Sequence, residues 1–382
     1  MSTRTTVIIF VVLFALGLLL IVVLPFFYFS GSDSGGGGTP LPAASGAPPP
    51  ATPDKNAPPT DRGLFRSDDG GTTWTQKTWV EGGNESVASF RVNRLAPHPT
   101  RPETLFLATD GNGLWVSESR GDLWAPVRDK AGILPASADV RSIAVNPGNP
   151  DEWYVAVYQD RRGRLLRSRD GGGSFAEAYA TPVERFGVFD VYYDRARGSV
   201  VIATGEGGLF ESADQGGTWR TVRWFADGLT ALLVNPVNPS IRFAVSSKGS
   251  LFRTMDRGAS WIDATPSFKK FRGALENQRW VMDQSGTLYL ASSYGFLRSR
   301  DNAGTFAAPP LIVPGGNAVP VIAAAIDPRD RRSIVVSTAS QIYRSRDDGA
   351  TWSILPAPSA LRAAEIAFDP AAPDALYAVF AP

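Results

Sequence analysis

The 382-residue chain has no cysteine and one histidine, His98. Without a thiol there can be no disulfide framework, cysteine-bound zinc, iron–sulfur cluster or cysteine nucleophile. One histidine also excludes a multi-histidine metal site, and any serine–histidine–carboxylate triad would have to use His98 itself. An excess of one charge sign is missing too. The 38 basic and 37 acidic residues leave a formal charge of +1, so nothing draws the whole molecule toward nucleic acid, and no such partner is expected. Lysine is scarce: positions 55, 77, 130, 248, 269 and 270 account for all of it, and the other basic residues are arginine, the better forked donor. No amphipathic helical stretch follows residue 60. No metal and no cofactor are expected.

What is present divides into three parts. Val7 to Phe29 is an uncharged, almost wholly apolar run. At about 1.5 Å per residue it reaches roughly 34 Å as a helix, enough to cross a hydrocarbon core. It outlasts the apolar stretch of about 7–15 residues in a secretory signal, so residues 1–30 read as an uncleaved transmembrane anchor. Arg4 precedes the run and no Lys or Arg follows until Lys55. That bias places the N-terminus in the cytoplasm and the remainder in the periplasm or outside the cell. Residues 31–60 are dominated by Gly, Pro and Ala with no aromatic residue. Such a segment buries too little apolar surface to offset its ordering entropy and reads as a disordered tether.

Residues 61–382 repeat. The pattern Ser-x-Asp-x-Gly-x-Thr-Trp starts at Ser67, Ser117, Ser168, Ser212, Thr254, Ser299 and Ser345. Its aspartates are Asp69, Asp170, Asp214, Asp256, Asp301 and Asp347, with Ser119 standing in the second copy. Starts 42 to 51 residues apart indicate a solenoid, propeller or array. Before each box lies a short apolar stretch such as GLFR or QIYR, before that an alternating run such as LFLAT or IVVST, and before that a turn such as NPGNP. Four short strands per unit make one propeller blade. Residues 61–79 supply only the last half of a unit and 364–382 only the first half. Pairing them would complete a blade, close the ring and leave no free edge. The fold class expected is all-β, a seven-bladed propeller. The box belongs in the hairpin between the third and fourth strands, where its Asp accepts turn N–H groups, its Gly supplies positive φ and its aromatic ring packs between sheets.

These boxes resemble the Asp-box, or bacterial neuraminidase repeat, along nearly all of 61–382. The resemblance implies the fold and not the activity. Three readings follow. A sialidase would need an arginine triad, an Arg-Ile-Pro type motif and a tyrosine–glutamate pair. The motif is absent; Tyr192, with Tyr193 beside it, and Glu206 are the pair on offer. Another glycoside hydrolase would need two carboxylates across the sugar, with Asp110, Asp160 and Glu206 the leading candidates on the expected ligand face. Propeller endoglucanases that resemble this chain use two propellers, and one is present here. The unit pattern is most similar to YVTN/BNR-like repeat proteins, including the photosystem II assembly factor family. That likeness implies an exported propeller that binds a membrane-protein partner through an arginine patch; the candidates are Arg91, Arg141, Arg161, Arg162, Arg185 and Arg272. The expectation drawn is a membrane-tethered, non-catalytic protein-binding scaffold, with a sialidase-like glycoside hydrolase or glycan-binding module as the alternative. His98, in a turn away from the ligand face, reads as a turn residue. Trp79, Trp224 and Phe225 read as blade-junction packing.

Overall fold

A computed structural model describes residues 59–83, 85–311, 319–372 and 374–381. The expected anchor, 1–30, and the expected tether as far as residue 58 lie outside the described residues. Among those residues no helix is long and apolar enough to cross a membrane.

Seven antiparallel sheets form the propeller. Blade I begins with the innermost strand Val92–Pro97, blade II with Asp139–Asn146, blade III with Val188–Asp194 and blade IV with Leu229–Val234. Blades V and VI begin with Arg279–Met282 and Ala323–Ile326. Blade VII is shared between the two ends of the chain: Gly63–Ser67 pairs antiparallel with Leu376–Ala381, in the register Gly63↔Phe380 to Ser67↔Leu376. The expected closure is therefore present, and each half-blade covers an edge that the other would leave open.

The second strand of each blade departs from the alternating pattern expected for it. Leu105–Thr109, Ser199–Thr204, Arg242–Ser246 and Leu288–Ser292 are buried at every position. Each is sandwiched between two neighbouring blades, so both of its faces are core and the strand reads as a nearly continuous apolar run. At about 1.5–3 kcal/mol per buried Leu, Val or Phe, these strands carry much of the hydrophobic stabilisation.

Blade V also departs from the four-strand expectation. It is a three-stranded sheet with one isolated bridge, Arg298↔Ala307, where a fourth strand would run. Pro309 and Pro310 follow that bridge, and a proline has no N–H to extend a ladder.

The boxes occupy the hairpins on the rim opposite the start of the innermost strands. In the first, Ser67 Oγ donates to Asp69 Oδ1 at 2.8 Å and accepts from the Gly71 N–H at 2.7 Å. The same carboxylate accepts from the Thr73 N–H at 2.8 Å and the Thr73 hydroxyl at 2.6 Å. These hydrogen bonds, the Thr73 hydroxyl first, lower the Asp69 carboxyl to about 2. In the second copy Ser119 Oγ takes the carboxylate's place and accepts from Leu123 N–H at 3.1 Å. Some box tryptophans reach back to the preceding blade: Trp74 Nε1 donates to Pro356 O at 2.9 Å and Trp219 Nε1 to Ala178 O at 2.7 Å, whereas Trp261 and Trp352 donate to Gly258 O and Gly349 O in their own boxes.

A second stitch runs forward. The residue before the box Ser is usually Arg, and it bonds the next blade's box at its fourth position, which has positive φ. Arg66 donates to Arg120 O at 2.9 Å, Arg253 to Asn302 O at 2.6 Å and Arg298 to Asp348 O at 2.9 Å. Blades I and III have Val116 and Glu211 there, and other groups serve. Arg242 Nη2 donates to Asp194 Oδ2 at 2.6 Å between blades IV and III, both side chains 1% exposed. His98 joins blade I to blade II: Nδ1 accepts from the Arg101 N–H at 3.0 Å, which leaves Nε2 to donate to Pro150 O at 3.2 Å. His98 is a turn residue, and a buried one.

Candidate functional site

The innermost strands surround a central channel of about 830 Å³. Their first residues, the turns between second and third strands, and the inter-blade loops meet at one mouth. Four aspects of this mouth matter.

The first is a ring inside the channel made by β-bulges. The innermost strands of blades VII, I, II, III and IV each shift register at the same place: Ala363/Glu365, Val92/Arg94, Val140/Ser142, Val188/Asp190 and Leu229/Ala231. A bulge re-aims the residue that follows it. Arg94 Nη1 donates to Ser142 Oγ at 2.7 Å and to Asp190 Oδ1 at 2.8 Å, and Ser142 Oγ donates to the same oxygen at 2.8 Å. Asp190 Oδ2 accepts from the Leu232 N–H at 3.0 Å. Among the described residues Glu365 Oε1 accepts only from the Leu95 N–H, at 2.9 Å. Burial raises the Glu365 carboxyl to about 7, against the pull of Arg94 and Arg279.

The second is a carboxylate pair where blades I and II meet. Asp139 opens the innermost strand of blade II; Asp110 sits in the turn after Leu105–Thr109 of blade I. Asn93 Nδ2 donates to Asp139 Oδ1 at 2.9 Å, and Arg141 pairs with the other carboxylate oxygen. Burial raises the Asp139 carboxyl despite Arg141, and the charge of Asp110 raises it further. Asp110 faces Arg91 at 3.5 Å. The guanidinium of Arg141 lies over the Phe189 ring at 5.8 Å.

The third is a set of cations at the junction of blades II and III. Asp160 and Arg161 form a two-residue hairpin turn, both with positive φ. Asp160 pairs with Arg164 at 3.0 Å and Arg161 with Glu184 at 3.4 Å, while the Arg185 N–H donates to Arg161 O at 2.7 Å. Arg162 opens the following strand, Arg162–Ser168.

The fourth is the loop between blades IV and V, which carries exposed Arg272.

Thus the structure brings Arg91, Asp110 and Arg141 together, and separately Asp160, Arg161 and Arg185, with Arg162 beside them. Arg272 stands apart from both groups. Tyr192 and Glu206 do not meet. Tyr192 pairs with Val201 while Thr204 pairs with Val188, so about 15 Å of strand separates Tyr192 from the Glu206 turn. Glu206 instead lies near Tyr179, whose phenol is raised first by burial and then by the Glu206 charge, and Glu206 Oε1 is buried without a hydrogen-bond partner among the described residues. Trp79 and Trp224 are about half exposed; Trp224 packs edge-on to Phe210 at 5.5 Å, and Phe225 meets Trp261 at 5.3 Å. Sequence reasoning missed Asp139, Asp190 and Glu365. The available signal was a carboxylate on an innermost strand whose neighbours are apolar.

No family model matches the chain. It is 26% identical over 204 residues to an oligoxyloglucan-reducing end-specific xyloglucanase of Emericella nidulans, covering 46% of this chain and 24% of that protein. It is 27% identical over 245 residues to a xyloglucanase of Acetivibrio thermocellus, covering 52% of this chain and 28% of that protein. The chain therefore spans about a quarter of the length of these curated relatives. Among solved structures, the GH74 xyloglucanase from Xanthomonas campestris aligns with a TM-score of 0.61 at 19% identity, over 76% of this chain and 51% of that one. YCF48 from Cyanidioschyzon merolae aligns with a TM-score of 0.58 at 14% identity, over 76% of this chain and 96% of that one. Both structural likenesses are of fold. The relatives in sequence correct the expectation of a non-catalytic protein-binding scaffold: they are xyloglucanases, and the glycoside hydrolase alternative fits better.

Proposed function

We propose that this propeller acts on a glycan as a glycoside hydrolase, with its working centre at the mouth where Asp110 and Asp139 lie. The observation that carries the reading is the unequal pair. The Asp139 side chain is half-buried, 14% exposed, and its carboxyl is raised first by that burial and further by Asp110, while Asp110 is the more open of the two, 34% exposed beside Arg91. Hydrolysis of a glycosidic bond uses two such carboxyl groups: one keeps its proton to protonate the leaving oxygen, the other attacks or activates water as an anion. Asp139 suits the first role and Asp110 the second. Asn93 and Arg141 hold the Asp139 carboxyl in place, and Arg141 is itself seated over the half-buried Phe189 ring. The sequence likeness to xyloglucanases supports a glycan as the substrate.

The test is reducing-end release from a panel of xyloglucan, other β-glucans, a uronate polymer and a sialoside. Asp139→Asn should lower the rate about 10²–10⁴-fold, the usual worth of a positioned acid, with the melting temperature unchanged. Equal rates for the variant and the parent would remove Asp139 from the chemistry.

A further inference from the structure

The loop between blades IV and V has a charge unlike the rest of the chain. Residues 264–279 hold Lys269, Lys270, Arg272 and Arg279 against a single acid, Glu276, in a molecule whose overall charge is +1. All four cations are exposed, and none forms an ion pair among the described residues. Asp263, just before the loop, accepts from the Thr265 N–H at 2.9 Å, and Asp227, in the loop joining blades III and IV, is taken by Lys248 at 2.6 Å. Across the channel Glu365 faces Arg279, but burial holds that carboxyl partly protonated near neutral pH.

The loop is also built rather than loose. Phe268 is fully buried against Trp280 and Phe306, at ring distances of 5.5 and 5.3 Å. The Thr265 hydroxyl accepts from the Leu251 N–H at 3.0 Å, and Gln278 Nε2 donates to Gly249 O at 3.0 Å and Ala274 O at 2.8 Å. The far end is tied to blade V, where the Ser293 N–H donates to Glu276 O at 3.0 Å. On this frame Phe271 packs against Tyr294 at 5.0 Å, with the Lys270 ammonium 5.2 Å from the Phe271 ring. Leu275, Asn277, Gln278 and Arg279 line the channel itself, so the loop stands on the rim of the mouth.

Unpaired cations on a fixed loop, beside the partly buried rings of Phe271 and Tyr294, suit a ligand that carries regularly spaced anions on flat, partly apolar rings. We propose that this loop is a subsite for an acidic glycan, one with uronate carboxylates along its chain, and that it selects such a chain over a neutral one. The proposal rests on the glycan reading above and names the substrate class for it. Lys269, Lys270 and Arg272 pair with the carboxylates, and Phe271 and Tyr294 stack on the sugar rings.

The test is titration calorimetry of the full chain in detergent with two probes, an oligogalacturonate and a neutral xyloglucan oligosaccharide of equal length. The parent protein should bind the oligogalacturonate more tightly, and added salt should weaken that binding. The combined variant K269E/K270E/R272E should weaken it by about tenfold or more. The control Arg332→Glu, on the box rim, should leave it unchanged, and both variants should keep the parent's melting temperature. Equal affinity for the two probes, or no effect of the charge reversal, would overturn the proposal and leave the glycan reading standing. Binding of neither probe would overturn both.

Discussion

Arg344 of blade VI donates through Nη1 to the carbonyl of Gly70 in blade VII, 2.8 Å away and 274 positions earlier in the chain. The same guanidinium reaches Asp374 Oδ1 at 2.6 Å and Ser333 Oγ at 3.1 Å. One buried side chain thus ties blade VI to both halves of the blade that closes the ring. Its counterparts Arg66, Arg253 and Arg298 repeat the stitch at other junctions.

Removing it should show in equilibrium unfolding. Hydrogen bonds to charged groups are worth about 1.5–3 kcal/mol, so Arg344→Ala should lose about that much in a denaturant titration. Arg332→Ala, exposed on the same blade, should stay within about 0.5 kcal/mol of the parent. Equal small losses for both would remove the stitch as a source of stability.

The Arg242–Asp194 pair predicts a larger loss with a specific rescue. Both side chains are 1% exposed, so either charge alone is stranded. Asp194→Ala should cost about 3–5 kcal/mol, and a double variant with apolar residues of similar volume should recover most of it. Additive losses in the double variant would contradict this.

The carboxyl groups give stability two opposite dependences on pH. The box aspartates Asp69, Asp170, Asp214, Asp256 and Asp347 are lowered to about 2 from 3.8 by hydrogen bonds in the hairpin. Their contribution is present above about pH 4 and is lost as pH falls toward 2. Glu365 runs the other way. Its folded value of about 7 lies above the ordinary 4.5, so its contribution is complete below about pH 4.5 and is lost as pH rises through 7. Melting temperatures of Glu365→Gln should therefore gain on the parent between pH 5 and 8. Parallel curves for the two proteins would show that Glu365 is not raised.

Asp110 should tune Asp139. Its negative charge raises the Asp139 carboxyl, so Asp110→Asn should let that carboxyl lose its proton at lower pH. If Asp139 is the acid, the basic limb of the pH–rate profile should move to lower pH in whatever activity remains. An unmoved basic limb would separate the two residues.

The blades were legible because period and turn chemistry repeat: each Ser-x-Asp box with its apolar approach marks one sheet, and the half-units at 61–79 and 364–382 announced the closing blade. The channel ring was not legible. Along AAEIAF the parity of Glu365 reads as fixed by simple alternation, but the bulge at Ala363/Glu365 resets which face it takes. Five such bulges set Arg94, Ser142, Asp190, Ala231 and Glu365 at one level, and no local residue type marks the bulges. The reduced fourth strand of blade V was readable in Pro309 and Pro310. Asp110 could be picked out because turns on the ligand face can be counted. Its partner Asp139 could not, because strand Asp139–Asn146 gives no sign of which neighbour its first residue meets.

The most direct test of the account is side-by-side turnover of neutral and acidic glycans by the parent and Asp139→Asn, read as reducing ends released per protein. The parent should release reducing ends from at least one glycan, and the variant should lose two orders of magnitude or more, about the effect of removing a general acid, with Tm unchanged. Release that survives undiminished in Asp139→Asn, or none from the parent on any glycan, would contradict it.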